Sequence, residues 1–191
     1  LQKEVNVGDV VESGVIISNS EVGHGSVDVS PFLYRLLCDN GMKVNDARLN
    51  SRHLTSSQAT IDGVYEILSD EAKELDSQAL LAKVRDVVAS TSDEVRFGQQ
   101  VQKITDASGV KIKKPKKVIE ILENKFDLTK DEGENILENL MNRDDKQPMA
   151  NLWSVVNSIT ALGNTIEDYD RGTKMQEIGG RLLDMPELVA A

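Results

Sequence analysis

Four polar residues crowd into one turn of this chain: Asn19, Ser20, Glu21 and His24, with Gly23 and Gly25 around the histidine. A carboxylate beside an imidazole can share a proton or hold a metal ion. Two ligands fall short of the three or four that zinc takes, so His53 and Cys38 would have to join them. The same residues also suit ordinary turn chemistry. Asn19 and Ser20 can bond nearby backbone groups, and glycine supplies unusual φ angles. That is the simpler reading, and no metal or cofactor is assigned. Cys38 lies in an apolar run and reads as a small hydrophobe rather than a nucleophile. The nucleophile elbow, the phosphate-binding P-loop and the dinucleotide fingerprint are all missing from the sequence. No catalytic residue is assigned, and an enzyme or metal site at the Glu21/His24 turn stands third among three functional readings.

The strongest electrostatic feature is Lys111, Lys113, Lys114, Lys116 and Lys117, five lysines in seven residues. Phosphate backbones reward such a cluster through counterion release. Residues 118–147 carry nine acidic and four basic side chains, so internal neutralisation is the rival reading. Arg35, Arg48 and Arg52 form a second basic set. Arg48 and Arg52 share a face if residues 47–54 are extended, because side chains alternate along a strand. Phe32 and Tyr34 offer stacking surface nearby. Aromatic content is only 4%, however, and the core is the better place for both rings.

These residues need elements to position them. Val10 to Glu21 and Ser26 to Ser30 read as strands joined by the Gly23-His24-Gly25 turn. Pro31 argues against a central ladder position. Phe32 to Cys38 fits a continuing strand better than a short helix, with Asn40-Gly41 reversing the chain into Met42-Lys43-Val44. Ala47 to Leu54 reads as an outer polar strand and Thr60 to Leu68 as a further short one. From Ser69, a plausible N-cap, the pattern turns helical through Leu75, Leu80, Val84 and Val88. A second helix spans Ser92 to about Ala107, with Gly109 as its stop. Pro115 opens a third, facing the core with Val118, Ile121, Leu122 and Phe126. Thr129 and Glu132 make a capping box for a fourth, facing the core with Ile136, Leu137, Leu140 and Met141. Pro148 opens a fifth around the core anchor Trp153, and Gly163 ends it. Thr165 starts the last, which frays near Gly179-Gly180. The fold class is α+β: a hairpin-based antiparallel sheet in the N-terminal third, then a mainly helical region. The expected division is 1–68 strand-rich, 69–108 helical and packed on the sheet, a linker at 109–114, and a helical region at 115–191.

The net charge of −10 favours solubility and disfavours unselective binding to nucleic acid or membranes, without excluding a local basic groove. One cysteine permits no internal disulfide, which suits a reducing cytoplasm. No apolar run approaches the length that spans a bilayer, so no membrane partner is expected. The chain begins at Leu1 rather than Met, as a trimmed, processed or partial chain would.

Gly14-Val15-Ile16-Ile17-Ser18-Asn19-Ser20-Glu21-Val22-Gly23, then Val29-Ser30-Pro31-Phe32-Leu33-Tyr34-Arg35, then Cys38 and Asn40-Gly41, resemble one family of phage- and plasmid-associated proteins. That family is catalogued as domain of unknown function 932. Leu152 to Thr160, Asp168-Tyr169-Asp170-Arg171 and Gly179 to Leu183 resemble its C-terminal part. The resemblance implies a mobile-element or prophage origin, a bacterial or phage-infected cell, and no assigned activity. A hairpin-led sheet followed by helices is also similar to phage single-strand annealing proteins, an analogy of fold that does not fix function. The leading expectation is non-enzymatic binding of nucleic acid, single-stranded DNA in recombination or replication, through Arg35, Arg48, Arg52 and the five lysines. The alternative is a homo-oligomeric interaction or assembly module.

Overall fold

The computed structural model describes residues 1–6, 8–19, 26–37, 40–44, 48–52, 69–142 and 149–189. Within them come the strands β1 (Gln2–Asn6), β2 (Asp9–Asn19), β3 (Ser26–Arg35), β4 (Asn40–Lys43) and β5 (Leu49–Arg52). The helices α1 (Asp70–Ser90), α2 (Glu94–Gly109), α3 (Pro115–Phe126), α4 (Lys130–Met141), α5 (Leu152–Thr165) and α6 (Tyr169–Leu183) follow, with a 3-10 turn at Pro186–Leu188. The fold is α+β, as expected. The Thr60–Leu68 segment lies outside the described residues.

The sheet is antiparallel, in the order β1-β2-β3-β4, with β5 also paired to β3. β4 pairs with residues 32–35 of β3 and β5 with residues 26–29, so the two lie in line along one edge. Pro31 sits inside β3, opposite the break between them, and pairs with Val15 of β2. The sequence reading denied Pro31 that central place. The Val44 N–H donates to the Pro31 carbonyl at 2.8 Å, so the backbone polar edge of Pro31 faces the break. A residue's N–H and C=O point the same way in a strand. The donor that proline lacks would therefore have faced the break, and the ladder to β2 loses nothing. The chain reverses ahead of Asn40, which already belongs to β4, rather than at Asn40-Gly41.

Local chemistry sets most helix starts. Ser69 Oγ accepts from the Ala72 N–H, and Asp93 rather than Ser92 caps α2. Pro115 stands in the first turn of α3, and Asp127 ends that helix in the left-handed region at φ 52°. Thr129 and Glu132 cap each other's backbone at α4. Asn151 and Ser154 do the same at α5, so that helix begins at Leu152 and not at Pro148. Thr165 closes α5 instead of opening α6, whose N-cap is Asp168. Gly163, expected to end α5, lies within it.

Eleven of the 14 residues of α5 are buried, which makes it the central helix. Ile104, Leu122, Ile136, Leu140, Ile178 and Leu182 pack in the same core as Val11, Leu33 and Met42 of the sheet. Burying one such side chain stabilises by about 1.5–3 kcal/mol. Met141, expected in the core, is 64% exposed. Ile121 is half-buried, and Ile119 takes the buried place beside Val118. A Cβ on Gly163 would stand 2.9 Å from the Gly172 carbonyl oxygen, and one on Gly172 would stand 2.7 Å from that of Gly163. The backbones of α5 and α6 thus meet directly at that crossing. In contrast, α1 buries none of its residues. Its Leu75, Leu81 and Val88 are exposed.

Candidate functional site

The segment carrying the lysines is pinned at its base. Lys111 forms an antiparallel bridge with Asn151, the residue that caps α5. The Ile112 N–H donates to the Ala150 carbonyl at 2.8 Å, and the Leu152 N–H donates to that of Val110 at 2.9 Å. The Ile112 side chain is buried in the core. Residues 110–112, part of the expected linker, are therefore anchored. From that base Lys111, Lys113, Lys114, Lys116 and Lys117 all stand exposed around the start of α3.

None of the five has an ion-pair partner among the described residues. Two carboxylates of the acidic region downstream are engaged elsewhere. Glu123 pairs with Lys130. Glu132 takes both arms of Arg171 at 2.6 and 2.7 Å. The Arg171 hydrogen bonds outweigh burial and, with those from Thr129, hold the Glu132 carboxyl below its usual pKa. The start of α3 has no side-chain cap and no acid in its first turn. A helix N-terminus already carries partial positive charge, so lysines there add to the field instead of cancelling it. The result is a cationic ridge on an acidic protein.

The strand arginines are not part of that ridge. Arg35 is 6% exposed and makes two hydrogen bonds to Asp9, at 2.6 and 2.9 Å. Asp9 also accepts from the Trp153 indole N–H at 3.1 Å, and the guanidinium carbon lies 5.7 Å from the Trp153 ring centroid. Arg48 is held between Asp28, at 2.6 Å, and Glu177 of α6, at 2.8 Å. Arg52 lies at the end of β5, and its side chain is outside the described residues. Phe32 and Tyr34 are half-buried neighbours with centroids 6.5 Å apart, beside the core and not within it. Of the turn at 19–24, only the backbone of Asn19 is described. Ser20, Glu21, His24, Cys38 and His53 lie outside the described residues. Among the described residues no group of three or more His, Cys, Asp or Glu could hold a metal ion.

Two acids that the sequence reading passed over organise the polar interior. Asp9 is the first. The second is Asp28, which accepts from Ser30 at 2.7 Å, Arg48 at 2.6 Å, Asn50 at 3.3 Å and Lys43 at 3.4 Å. Burial pushes its pKa up, but the hydrogen bonds from Ser30, Arg48 and Asn50 and the Lys43 charge together hold it below the ordinary value. An aspartate in the middle of an alternating strand was the available signal, since strands are poor in Asp. Nearby, Asn40 Nδ2 donates to the Asn157 carbonyl and to Thr160 Oγ1, both at 3.0 Å, tying β4 to α5. Those bonds and Asp9–Trp153 are polar links between sheet and central helix among the described residues.

The ridge, the two buried acids and the sheet-to-helix links all fall within residues 1–175, the span matched by a family model described as a domain of unknown function, DUF932. The chain belongs to the DUF932 family. No curated protein and no solved structure matches it. Among the described residues of this DUF932 chain, no helix is long and apolar enough to cross a membrane.

Proposed function

We propose that the DUF932 chain binds nucleic acid through the lysine ridge at the start of α3, without catalysis. One observation carries the reading: Lys111, Lys113, Lys114, Lys116 and Lys117 are exposed and unpaired among the described residues, on an uncapped helix start. Each such lysine that neutralises a phosphate releases cations condensed on the nucleic acid. The net charge of −10 repels polyanions elsewhere and confines contact to this face. Arg35 and Arg48 take no part, because buried or half-buried carboxylates already hold them. Single-stranded DNA in recombination or replication, in the cytoplasm of a bacterial or phage-infected cell, is the setting the family resemblance favours.

Fluorescence anisotropy with a labelled oligonucleotide tests it. Five phosphate contacts give a slope of log K against log salt of roughly −3.5 on single strands and roughly −4.5 on duplex. Replacing Lys114, Lys116 and Lys117 with Gln should flatten the single-strand slope by about 2. Absence of binding at low salt, or an unchanged slope in that variant, refutes the reading.

A second reading, a homo-oligomeric assembly module, is favoured by α1. A helix of 21 residues with no buried side chain and exposed Leu75, Leu81 and Val88 is unusual for an isolated surface helix. A defined oligomer by light scattering, dispersed by Leu81→Glu and without affinity for DNA, would favour this reading over the first.

A further inference from the structure

The lysine ridge does not account for a cavity at the other end of α5. It has a volume of about 300 Å³ and lies between the sheet and the turn from α5 into α6. Three other hollows in the protein hold only about 10–20 Å³. Ile16 of β2, Lys43 of β4, Ile166, Tyr169, Thr173 and Gln176 line it. The direct contact of Gly163 with Gly172 fixes the turn, so the cavity is built into the resting fold. Its volume falls at the lower limit of those that hold small organic ligands.

Lys43 decides the chemistry. The residue is 3% exposed, and its Nζ has one hydrogen-bond partner among the described residues, Asp28 Oδ1 at 3.4 Å. An ammonium has three donors, and charged pairs of this kind close to about 2.7–2.9 Å when well made. Asp28 is better served by Ser30 and Arg48. Arg48 shares Asp28 with Lys43 and is itself also held by Glu177. A buried ammonium with donors to spare is costly until something accepts from it. Ile16 and Ile166 supply apolar wall, and Tyr169, which also lines the cavity, is 65% exposed. Glu167, exposed and also lining the cavity, opposes a second negative charge on the occupant.

We infer that this cavity binds a small organic monocarboxylate with a flat apolar body, its acid group on Lys43 and its body against Ile16, Ile166 and Tyr169. The site is separate from the lysine ridge, since α5, with 14 residues and a length of about 20 Å, runs between them.

The test is an NMR titration of the full chain, read at the methyl groups of Ile16 and Ile166 and at the Thr173 amide, with benzoate and its neutral counterpart benzyl alcohol as probes. Benzoate should shift these signals saturably and bind about tenfold more tightly than the alcohol. Lys43→Met should erase that preference while leaving the alcohol unaffected. Because Lys43→Met also strips a partner from Asp28, Tyr169→Ala at an exposed position gives a second reading: both probes should weaken several-fold. Phenyl phosphate as a dianion should bind less well than benzoate. The inference is overturned if benzoate leaves these signals unmoved at millimolar concentration. Equal binding of benzoate and the alcohol to the unaltered chain, or shifts confined to the lysines of α3, would overturn it too.

Discussion

Replacing Asp9 with Ala removes the acceptor of three hydrogen bonds from two side chains of the interior. Asp9 is 4% exposed and Arg35 is 6% exposed, so neither charge has water to fall back on. The two hydrogen bonds from Arg35 and the one from the Trp153 indole vanish together. Breaking a buried pair from one side costs about 3–5 kcal/mol. The orphaned indole N–H adds about 1–3 kcal/mol. The sum is a large share of a stability that is typically about 5–15 kcal/mol. Urea unfolding at neutral pH should show a loss of at least about 3 kcal/mol. Trp153 is the only tryptophan, so its emission should report the change at the site itself. Asp9→Leu combined with Arg35→Met removes both charges and should recover most of the loss. A single-variant loss under about 1 kcal/mol would refute the reasoning, because an exposed surface pair costs no more than that. So would a double variant no better than the single.

Further outcomes follow from other contacts. Gly163→Ala should cost about 1–3 kcal/mol in urea unfolding, because its Cβ has no room beside the Gly172 carbonyl, whereas Gly98→Ala, whose Cβ meets open space, should not destabilise. The Asp28 carboxyl has a folded pKa below its unfolded value near 3.9, so its stabilising contribution is complete above about pH 4 and is lost as pH falls through the folded value. Asp28→Asn should therefore lower stability at pH 7 and differ less from the unaltered chain at strongly acid pH, which denaturation across pH checks. Thr129→Ala removes one half of the α4 capping box and should cost about 1 kcal/mol by the same unfolding assay.

What the sequence disclosed is what neighbouring residues decide among themselves. Ser69 as a cap and the Thr129–Glu132 box depend on contacts three residues apart, and Pro115 in a first turn depends on its own fixed φ. The α+β order was readable from the change of period near Ser69. Pro31 misled because its tolerance rests on a break between two other strands, invisible in its own neighbourhood. Gly163 and Thr165 were read as helix punctuation, although Gly163 is there to let α6 approach. The basic residues divide in the same way. The lysines cluster in sequence, and they stay clustered and exposed in space. The partners of Arg35 and Arg48 lie 26, 20 and 129 positions away, distances at which sequence spacing is silent. Asp9 and Trp153, separated by 144 positions, were equally out of reach.

The in-line arrangement of β4 and β5 has a consequence for how this sheet tolerates change. Each grips its own half of β3, so the alignment of one is insulated from the other. Residues added between Val44 and Arg48 should leave both grips where they are. One residue added between Asn40 and Gly41 would turn Met42 away from Leu33, bring Gly41 opposite Leu33 and move Lys43 into the place of the buried Val44.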